Sequence, residues 1–271
     1  MTFVPAHTFV GEPGAAKLAL LLHGALGSGN NLRSLAVKIG KLRPEYRFCL
    51  VDLRHHGASR GAPRPNTLEA CARDLAALVE RLGQEPAVIA GHSFGGKTAL
   101  MFAELFPGRA RQVWILDSNP GTQAPTSDNE VIRVLGAVQS TTTPAAERAQ
   151  VVSELVAQGL SSGTAQWLAT NLQHDPGGFV WRFDLDAIHE LLLDYFRVDL
   201  WASLASRAAD TDLRVVVAEH SDRWAPENRE RLQTLASQPG GPRLHVVPNA
   251  GHWLHVDNPG YLIELMERDL V

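Results

Sequence analysis

Residues 86–98 read PAVIAGHSFGGKT, an apolar run that leads into Gly91-His92-Ser93-Phe94-Gly95 and then into a helical pattern stopped by Pro107. The apolar run predicts a buried strand. A G-x-S-x-G between a strand and a helix is typical of a sharp turn that lifts a serine hydroxyl above the sheet. The flanking glycines permit this turn because they have no Cβ to clash. Ser93 is therefore the candidate nucleophile, and the amides that open the following helix favour negative charge beside it.

Comparable apolar runs recur along the chain and predict a sheet. The strands are expected at residues 17–23, 48–52, 86–90, 113–117, 213–218 and 243–248. Between them lie segments with helical apolar spacing, at residues 67–82, 94–106, 226–237 and 258–270. Because strands and helices alternate, the sequence predicts an α/β fold with a mostly parallel central sheet flanked by helices.

The alternation stops between residues 119 and 210, where we find helical patterns and no strand run. These patterns cover residues 144–160, 164–172 and 185–200. The sequence therefore predicts a core domain of residues 1–118 and 211–271, interrupted by an all-helical cap (lid) insertion of residues 119–210.

Composition excludes several classes of function. Hydrophobic residues make up 45% of the 271 residues and charged residues 20%, which excludes global disorder. The formal net charge of −4 gives no electrostatic reason to expect nucleic acid, and no basic cluster favours an anionic membrane. No apolar stretch reaches the 18 or so residues of a membrane span, and no secretory signal is evident. We expect a cytoplasmic protein, monomer or homodimer, that acts on a small molecule.

No cofactor and no metal site are predicted. A dinucleotide-binding G-x-G-x-x-G after a strand is absent from the sequence. Cys49 and Cys71 do not form a C-x-x-C pair, and Cys49 lies in a predicted strand. The adjacent His55 and His56 lack a third ligand at suitable spacing.

A serine nucleophile needs a base, and His252 is the best-placed histidine. It follows the last predicted strand, and loops that leave the carboxyl ends of parallel strands share one edge of a sheet. The third member of a triad must orient the imidazole. Asp117 and Asp222 both follow strands at this edge, so position alone does not choose between them.

Two backbone amides are expected to bind the oxyanion of an acyl-transfer intermediate. One belongs to Phe94, the residue after the nucleophile. The other belongs to the loop HGALGS at residues 23–28, where Ala25 is the preferred donor and Leu26 the alternative. We also expect Leu26 and His92 to contact the substrate.

Three segments together carry a family resemblance: HGALGS at 23–28, DLRHHGAS at 52–59 and GHSFGGKT at 91–98. They resemble α/β-hydrolases, and among these the group that contains α/β-hydrolase domain-containing protein eleven and similar small bacterial esterases. The resemblance covers residues 17–118 and resumes at 249–259. It implies the α/β-hydrolase fold and places the triad acid at Asp117. Most other α/β-hydrolases place it after the next strand, where this chain has Asp222.

The resemblance and the motifs together predict a serine carboxylesterase for small esters with short to medium acyl chains. A Ser-His-Asp triad and an acyl-enzyme intermediate are expected. On the same triad, the alternatives are hydrolysis of C–C bonds, lactones or thioesters, and cofactor-free haloperoxidase (perhydrolase) chemistry. A non-enzymatic binding module that keeps the fold is the alternative from a different class.

Overall fold

A computed structural model describes residues 3–126, 129–207 and 210–271. The first two residues of the predicted core, and residues 127, 128, 208 and 209 of the predicted insertion, lie outside the described residues. The strands are β1 (His7–Val10), β2 (Lys17–Leu22), β3 (Tyr46–Val51), β4 (Pro86–His92), β5 (Gln112–Leu116), β6 (Leu172–Asp175), β7 (Gly178–Trp181), β8 (Asp212–Ala218) and β9 (Arg243–Val247).

Helices cover both faces of the sheet and fill most of the insertion. They are α1 (Arg33–Leu42), α2 (Leu68–Leu82), α3 (Phe94–Leu105), α4 (Glu130–Gln139), α5 (Arg148–Ala157), α6 (Ser162–Ala169), α7 (Leu185–Arg197), α8 (Trp201–Arg207), α9 (Pro226–Ala236), α10 (Leu254–Asp257) and α11 (Pro259–Asp269). None of these described helices is both long enough and apolar enough to cross a bilayer.

Seven strands form the central sheet in the order β1-β3-β2-β4-β5-β8-β9. Neighbouring strands are parallel, except that β1 pairs antiparallel with β3. The predicted mostly parallel sheet flanked by helices is therefore confirmed. β1 itself was not predicted, because its four residues, HTFV, contain no continuous apolar run.

β2 illustrates why the central strands are apolar throughout. Leu20 and Leu22 point into a core that includes residues of α2 and α3. Ala19 and Leu21 point into a second core, on the other face, that includes residues of α1 and α11. Because both faces are covered, neither set of alternating side chains reaches water, and the strand lacks the polar alternation of a half-exposed strand.

The prediction that the insertion is all-helical was wrong. β6 and β7 form an antiparallel hairpin in which Leu172 pairs with Trp181 and Asp175 with Gly178. Two glycines follow Pro176 in the turn, and Gly178 has a φ of +127°, a conformation that side chains with a Cβ rarely adopt. The turn residues reverse the chain, so the short segments LQHD and GFVW on either side pair as strands instead of continuing as helix.

The same hairpin shortens a predicted helix. Helical spacing was expected from residue 144, but α5 begins at Arg148. The backbone of Ala145 pairs with Phe179 in both directions, with N–H to C=O distances of 2.9 and 2.7 Å. Ala145 therefore lies in an extended bridge beside β7, and the helix cannot start until this pairing ends.

The topology gathers several loops at one edge of the sheet. The loops after β2, β4, β5, β8 and β9 leave the carboxyl ends of parallel strands, and the insertion begins in the loop after β5. Ligand sites of open α/β sheets lie at this edge. The candidate site residues belong to these loops, to the last position of β4 or to the start of α3.

Candidate active site

Ser93 occupies the turn between β4 and α3 in a strained backbone conformation, with φ +52° and ψ −116°. Such a conformation in a non-glycine residue costs on the order of 1–3 kcal/mol. Close packing around the turn requires glycine: a Cβ at Gly91 would overlap the Gly95 carbonyl, and one at Gly95 would lie 2.5 Å from the Leu22 oxygen. The fold therefore holds the Ser93 side chain at the edge of the sheet, as the motif predicts.

His252 and Asp117 are in direct contact, with 2.7 Å between Nδ1 of the imidazole and Oδ2 of the carboxylate. Asp117 is 1% exposed. Its Oδ2 also accepts from the Ser221 hydroxyl at 2.6 Å, and its Oδ1 accepts from the Ala218 N–H at 3.0 Å and the Trp224 indole N–H at 3.2 Å. These four donors fix the orientation of the carboxylate and, through it, that of the imidazole.

Asp222 takes a different direction. Its side chain is 70% exposed, and its Oδ1 lies 3.2 Å from Nε of Arg223. The loop after β8 turns Ser221, the preceding residue, toward Asp117, so the next side chain faces outward. Of the two acids that sequence position left open, Asp117 contacts His252 and Asp222 pairs with Arg223 near the surface.

The structure distinguishes the amides proposed for the oxyanion hole. Within the described part of the chain, the N–H groups of Ala25 and Phe94 meet no acceptor. The N–H of Leu26, the alternative donor, already donates to Nε2 of His56 at 3.2 Å. Ala25 and Phe94 are thus free to bind an oxyanion, whereas Leu26 would have to give up an existing hydrogen bond.

Leu26 itself lies in a tight turn closed by a hydrogen bond from the Gly27 N–H to the Gly24 carbonyl at 3.2 Å. Its φ of +58° is a conformation that glycine usually supplies in turns. Its side chain is 2% exposed. A strained leucine with a buried side chain persists only where its surroundings hold it.

His92 supports the loop that carries His252. It is almost fully buried, and burial holds its pKa well below the ordinary histidine value. Its ring is therefore neutral, and its Nε2–H donates to the backbone carbonyl of His252 at 2.8 Å. The two imidazole centroids lie 4.7 Å apart. His92 also lines the cavity beside Ser93, so its predicted contact with the substrate stays a prediction.

A cavity of about 40 Å³ lies beside Ser93. From the core it is lined by Gly24, Ala25, Leu26, His92, Ser93, Arg223, His252 and Trp253, and from the insertion by Glu130, Val131, Val134, Thr164 and Trp167. Two contacts between core and insertion border it. Arg223 forms an ion pair with Glu130, and the rings of Trp167 and Trp253 lie 4.7 Å apart. The insertion thus forms one wall of the candidate site.

A second cavity of about 290 Å³ adjoins the first. Thr164, Trp167 and Trp253 line both cavities, so the tryptophan pair lies between them. Removing either indole would be expected to connect the two spaces.

Lys97 lies four residues after Ser93, on α3, and serves to tie elements together. Its ammonium group donates to the carbonyls of Gly121 and Tyr195, at 2.8 and 2.7 Å. Burial lowers the pKa of Lys97 to about 7. Both hydrogen bonds run from the helix after the nucleophile to the segment that follows β5, so this side chain joins core and insertion.

Sequence reasoning did not single out Ser221, Trp224, Arg223 or Glu130. The position of a loop after β8 was visible in the sequence, but Asp222 was the only side chain in it to which a role was assigned. A hydroxyl and an indole acquire a function here only because both reach a buried carboxylate on another strand. Glu130 and Arg223 are 93 positions apart, and no local pattern links them.

Comparison with known proteins identifies the family of this chain. A family profile described as the alpha/beta hydrolase fold matches residues 19–259. The chain belongs to the α/β-hydrolase family. It is 31% identical over 245 residues to the mouse (Mus musculus) sn-1-specific diacylglycerol lipase ABHD11, which covers 89% of this chain and 76% of that protein. It is 27% identical over 252 residues to esterase YbfF of Escherichia coli, covering 93% of this chain and 92% of the relative.

Solved structures show the same architecture. A marine microorganism esterase superposes on this α/β-hydrolase with a TM-score of 0.83, covering 99% of this chain and all of that chain at 22% identity. The predicted fold is therefore confirmed, and so is the predicted grouping with α/β-hydrolase domain-containing protein eleven and small bacterial esterases. The protein is an α/β-hydrolase of the carboxylesterase type.

Proposed function

We propose that this α/β-hydrolase cleaves carboxylic esters with short to medium acyl chains, using Ser93 as nucleophile, His252 as base and Asp117 as the orienting acid. The observation that carries the proposal is the 2.7 Å contact between His252 and Asp117, made by a histidine that lines the same cavity as Ser93. A buried carboxylate, an imidazole and a serine on a strained turn form a set suited to acyl transfer.

Acylation would begin with the tautomer that this contact selects. A carboxylate only accepts, so the proton of the imidazole lies on Nδ1 and the lone pair on Nε2. Nε2 of His252 takes the hydroxyl proton as Ser93 Oγ attacks the ester carbonyl. The N–H groups of Ala25 and Phe94 stabilise the oxyanion that forms on the former carbonyl oxygen. His252 then gives its proton to the departing alcohol, which leaves an acyl group on Ser93.

Deacylation repeats these steps with water as the nucleophile. His252 removes a proton from water, the hydroxide attacks the acyl carbonyl, and the same two amides stabilise the second oxyanion. Collapse of this intermediate releases the carboxylic acid and returns the proton to Ser93. No cofactor takes part in the proposed reaction.

The first test is covalent labelling by a fluorophosphonate. We expect the native enzyme to react once, with the adduct on the peptide that contains Ser93, because only an activated serine attacks the phosphorus rapidly. Heat-denatured protein and Ser93→Ala should remain unlabelled. Mass spectrometry of the digest is the measurement. A native protein that is not labelled would favour the non-enzymatic binding module, and an adduct on another serine would reject Ser93.

The small cavity beside Ser93 supports a preference for short to medium acyl chains. About 40 Å³ leaves room for only a few water molecules. Trp167 and Trp253 separate this space from the larger cavity beyond. A long acyl chain would have to displace one of the two indoles.

Across p-nitrophenyl esters from acetate to palmitate, we therefore expect kcat/KM to be greatest at eight carbons or fewer. At palmitate it should be at least about tenfold lower, since moving a large packed side chain costs more than about 1.4 kcal/mol. In Trp167→Ala the two cavities would join, and the optimum should move to longer chains. An optimum at twelve or more carbons in the unmodified enzyme would contradict the proposed chain length while leaving ester hydrolysis intact.

A further inference from the structure

Both backbone polar groups of Leu26 are held by side chains from distant parts of the chain. The Leu26 N–H donates to Nε2 of His56 at 3.2 Å. The Leu26 carbonyl accepts from Nδ2 of Asn171 at 3.2 Å. Leu26 directly follows Ala25, whose free N–H is the proposed oxyanion donor. The strained turn that presents this amide is therefore held by hydrogen bonds on two sides.

His56 is a permanent acceptor on one side. Its Nδ1–H donates to the Arg54 carbonyl at 2.9 Å, which leaves the lone pair on Nε2 for the Leu26 N–H. The ring is 1% exposed, and burial, with His23 adding to the effect, lowers the pKa of His56 to about 3. His56 thus stays neutral at any pH at which the enzyme would be assayed.

Asn171 approaches from the other side, and it belongs to the insertion. It lies between α6 and β6 and is 3% exposed. Its Nδ2 also donates to the Leu168 carbonyl at 3.3 Å, and its own carbonyl accepts from the Arg182 N–H at 2.9 Å. The asparagine is therefore anchored within the insertion while its amide reaches the core.

We propose that Asn171 is a positioning residue for the oxyanion hole. From the insertion it holds the Leu26 carbonyl while His56 holds the Leu26 N–H, and this pair of hydrogen bonds, the clamp, keeps the Ala25 amide directed at the reacting carbonyl. The inference rests on the proposed function, since it assigns a role to the Ala25 N–H. Relaxation of Leu26 to a negative φ would relieve its backbone strain but would rotate the peptide groups on both sides of it. The two hydrogen bonds oppose this relaxation.

The clamp gives the insertion a part in the chemistry. If the insertion only covered the site, loss of its hydrogen bond to Leu26 would change substrate binding alone. A misdirected oxyanion donor stabilises the transition state less, while it affects the ground state little. Loss of the clamp should therefore lower kcat.

The test compares two buried asparagines that each link core and insertion. Asn171→Ala removes the clamp. Asn66→Ala is the matched control, because Asn66 is 7% exposed and its Nδ2 donates across the same boundary to Glu190 at 2.9 Å, with no contact to the loop at 23–28. Both variants are assayed with p-nitrophenyl acetate, with active sites counted by fluorophosphonate titration so that only folded enzyme contributes to kcat.

We expect Asn171→Ala to lower kcat by about tenfold to a hundredfold, somewhat less than the loss of a whole oxyanion donor. KM should stay within about twofold, and Asn66→Ala should keep kcat within about threefold of the unmodified enzyme. Asn171→Asp should lose at least as much as Asn171→Ala, because a carboxylate cannot donate to the Leu26 carbonyl and repels it. Affinity for phenylboronic acid, which forms an anionic tetrahedral adduct on serine, should fall in parallel with kcat.

Three results would overturn the proposal: an unchanged kcat in Asn171→Ala, a rise in KM alone, or an equal loss of kcat in the Asn66→Ala control. Should Asn171→Ala fail to fold, His56→Phe tests the other half of the clamp, and we expect the same fall in kcat. An unchanged kcat in His56→Phe would also reject the proposed positioning role. Absence of labelling in the unmodified enzyme would instead defeat the proposed function. The two failures are therefore distinguishable.

Discussion

Replacement of Ser93 by alanine should lower kcat/KM for p-nitrophenyl acetate by about 10⁴-fold to 10⁶-fold. The variant lacks the attacking oxygen, so no acyl-enzyme can form, and only the oxyanion amides and substrate positioning remain to accelerate attack by water. The fold should tolerate the change, because alanine is smaller than serine and Ser93 contributes through its backbone to the packing of the turn. The measurement is steady-state hydrolysis after circular dichroism has established that the variant is folded.

Ser118→Ala is a matched control for this substitution. Ser118 is a buried serine one residue after Asp117, at the same edge of the sheet, and has no role in the proposed reaction. Its variant should retain activity within about threefold. Activity of Ser93→Ala within tenfold of the unmodified enzyme would exclude Ser93 as the nucleophile, and with it the proposed mechanism.

The second large effect is expected for Asp117→Asn, which should lower kcat by about 10³-fold to 10⁴-fold. Asparagine tolerates the positive φ of +46° at this position, so the backbone should not move. Its Oδ1 can still accept from the Ala218 N–H and the Trp224 indole. Its amide group would then replace Oδ2, the atom that now contacts His252.

An amide nitrogen donates and cannot accept the Nδ1 proton of His252. The imidazole would therefore favour the tautomer protonated at Nε2, the nitrogen that must receive the Ser93 proton. Substrate binding does not depend on this tautomer, so KM should change much less than kcat. Rate measurements with p-nitrophenyl acetate under saturating conditions provide the check.

Asp222→Asn is the isosteric comparison for Asp117→Asn. The Asp222 side chain is largely exposed, and its contact is with Arg223. An ion pair with one exposed member is worth little, so we expect kcat to stay within about threefold. A larger loss in Asp222→Asn than in Asp117→Asn would transfer the orienting role to Asp222 and refute the assignment made from the contact with His252.

Much of the core could be predicted because its signals are local. β4 and the start of α3 follow from a short apolar run, two glycines and a helical pattern. Strands buried on both faces are apolar over most of their length, so β2, β3, β5 and β8 were visible as runs. The half-exposed edge strand β9 was visible from its apolar end. The errors fell where that signal is weak: β1 has no apolar run, and the hairpin of β6 and β7 depends on a turn whose strands are only four residues long.

In the candidate site, too, some residues could be predicted from the sequence and others could not. Ser93 and His252 could be named from the sequence, because a motif or the order of strands places each of them at the carboxyl edge. The choice between Asp117 and Asp222 could not be made from order, since both follow strands at that edge. It depends on which carboxylate is enclosed by donors, and those donors come from Ser221, Ala218 and Trp224, about a hundred positions after Asp117.

The chain's local patterns were enough to specify a parallel sheet, its strained serine turn and the loop that brings a histidine to the same edge, because strand burial and turn geometry depend on neighbouring residues. Only the tertiary structure shows that Asp117 meets His252, that Trp167 meets Trp253, and that Asn171 meets Leu26. Each of these pairs spans more than 80 positions, and its members meet because separate segments pack against one another. A hydrogen bond or ring contact of this kind leaves no periodic trace in the sequence.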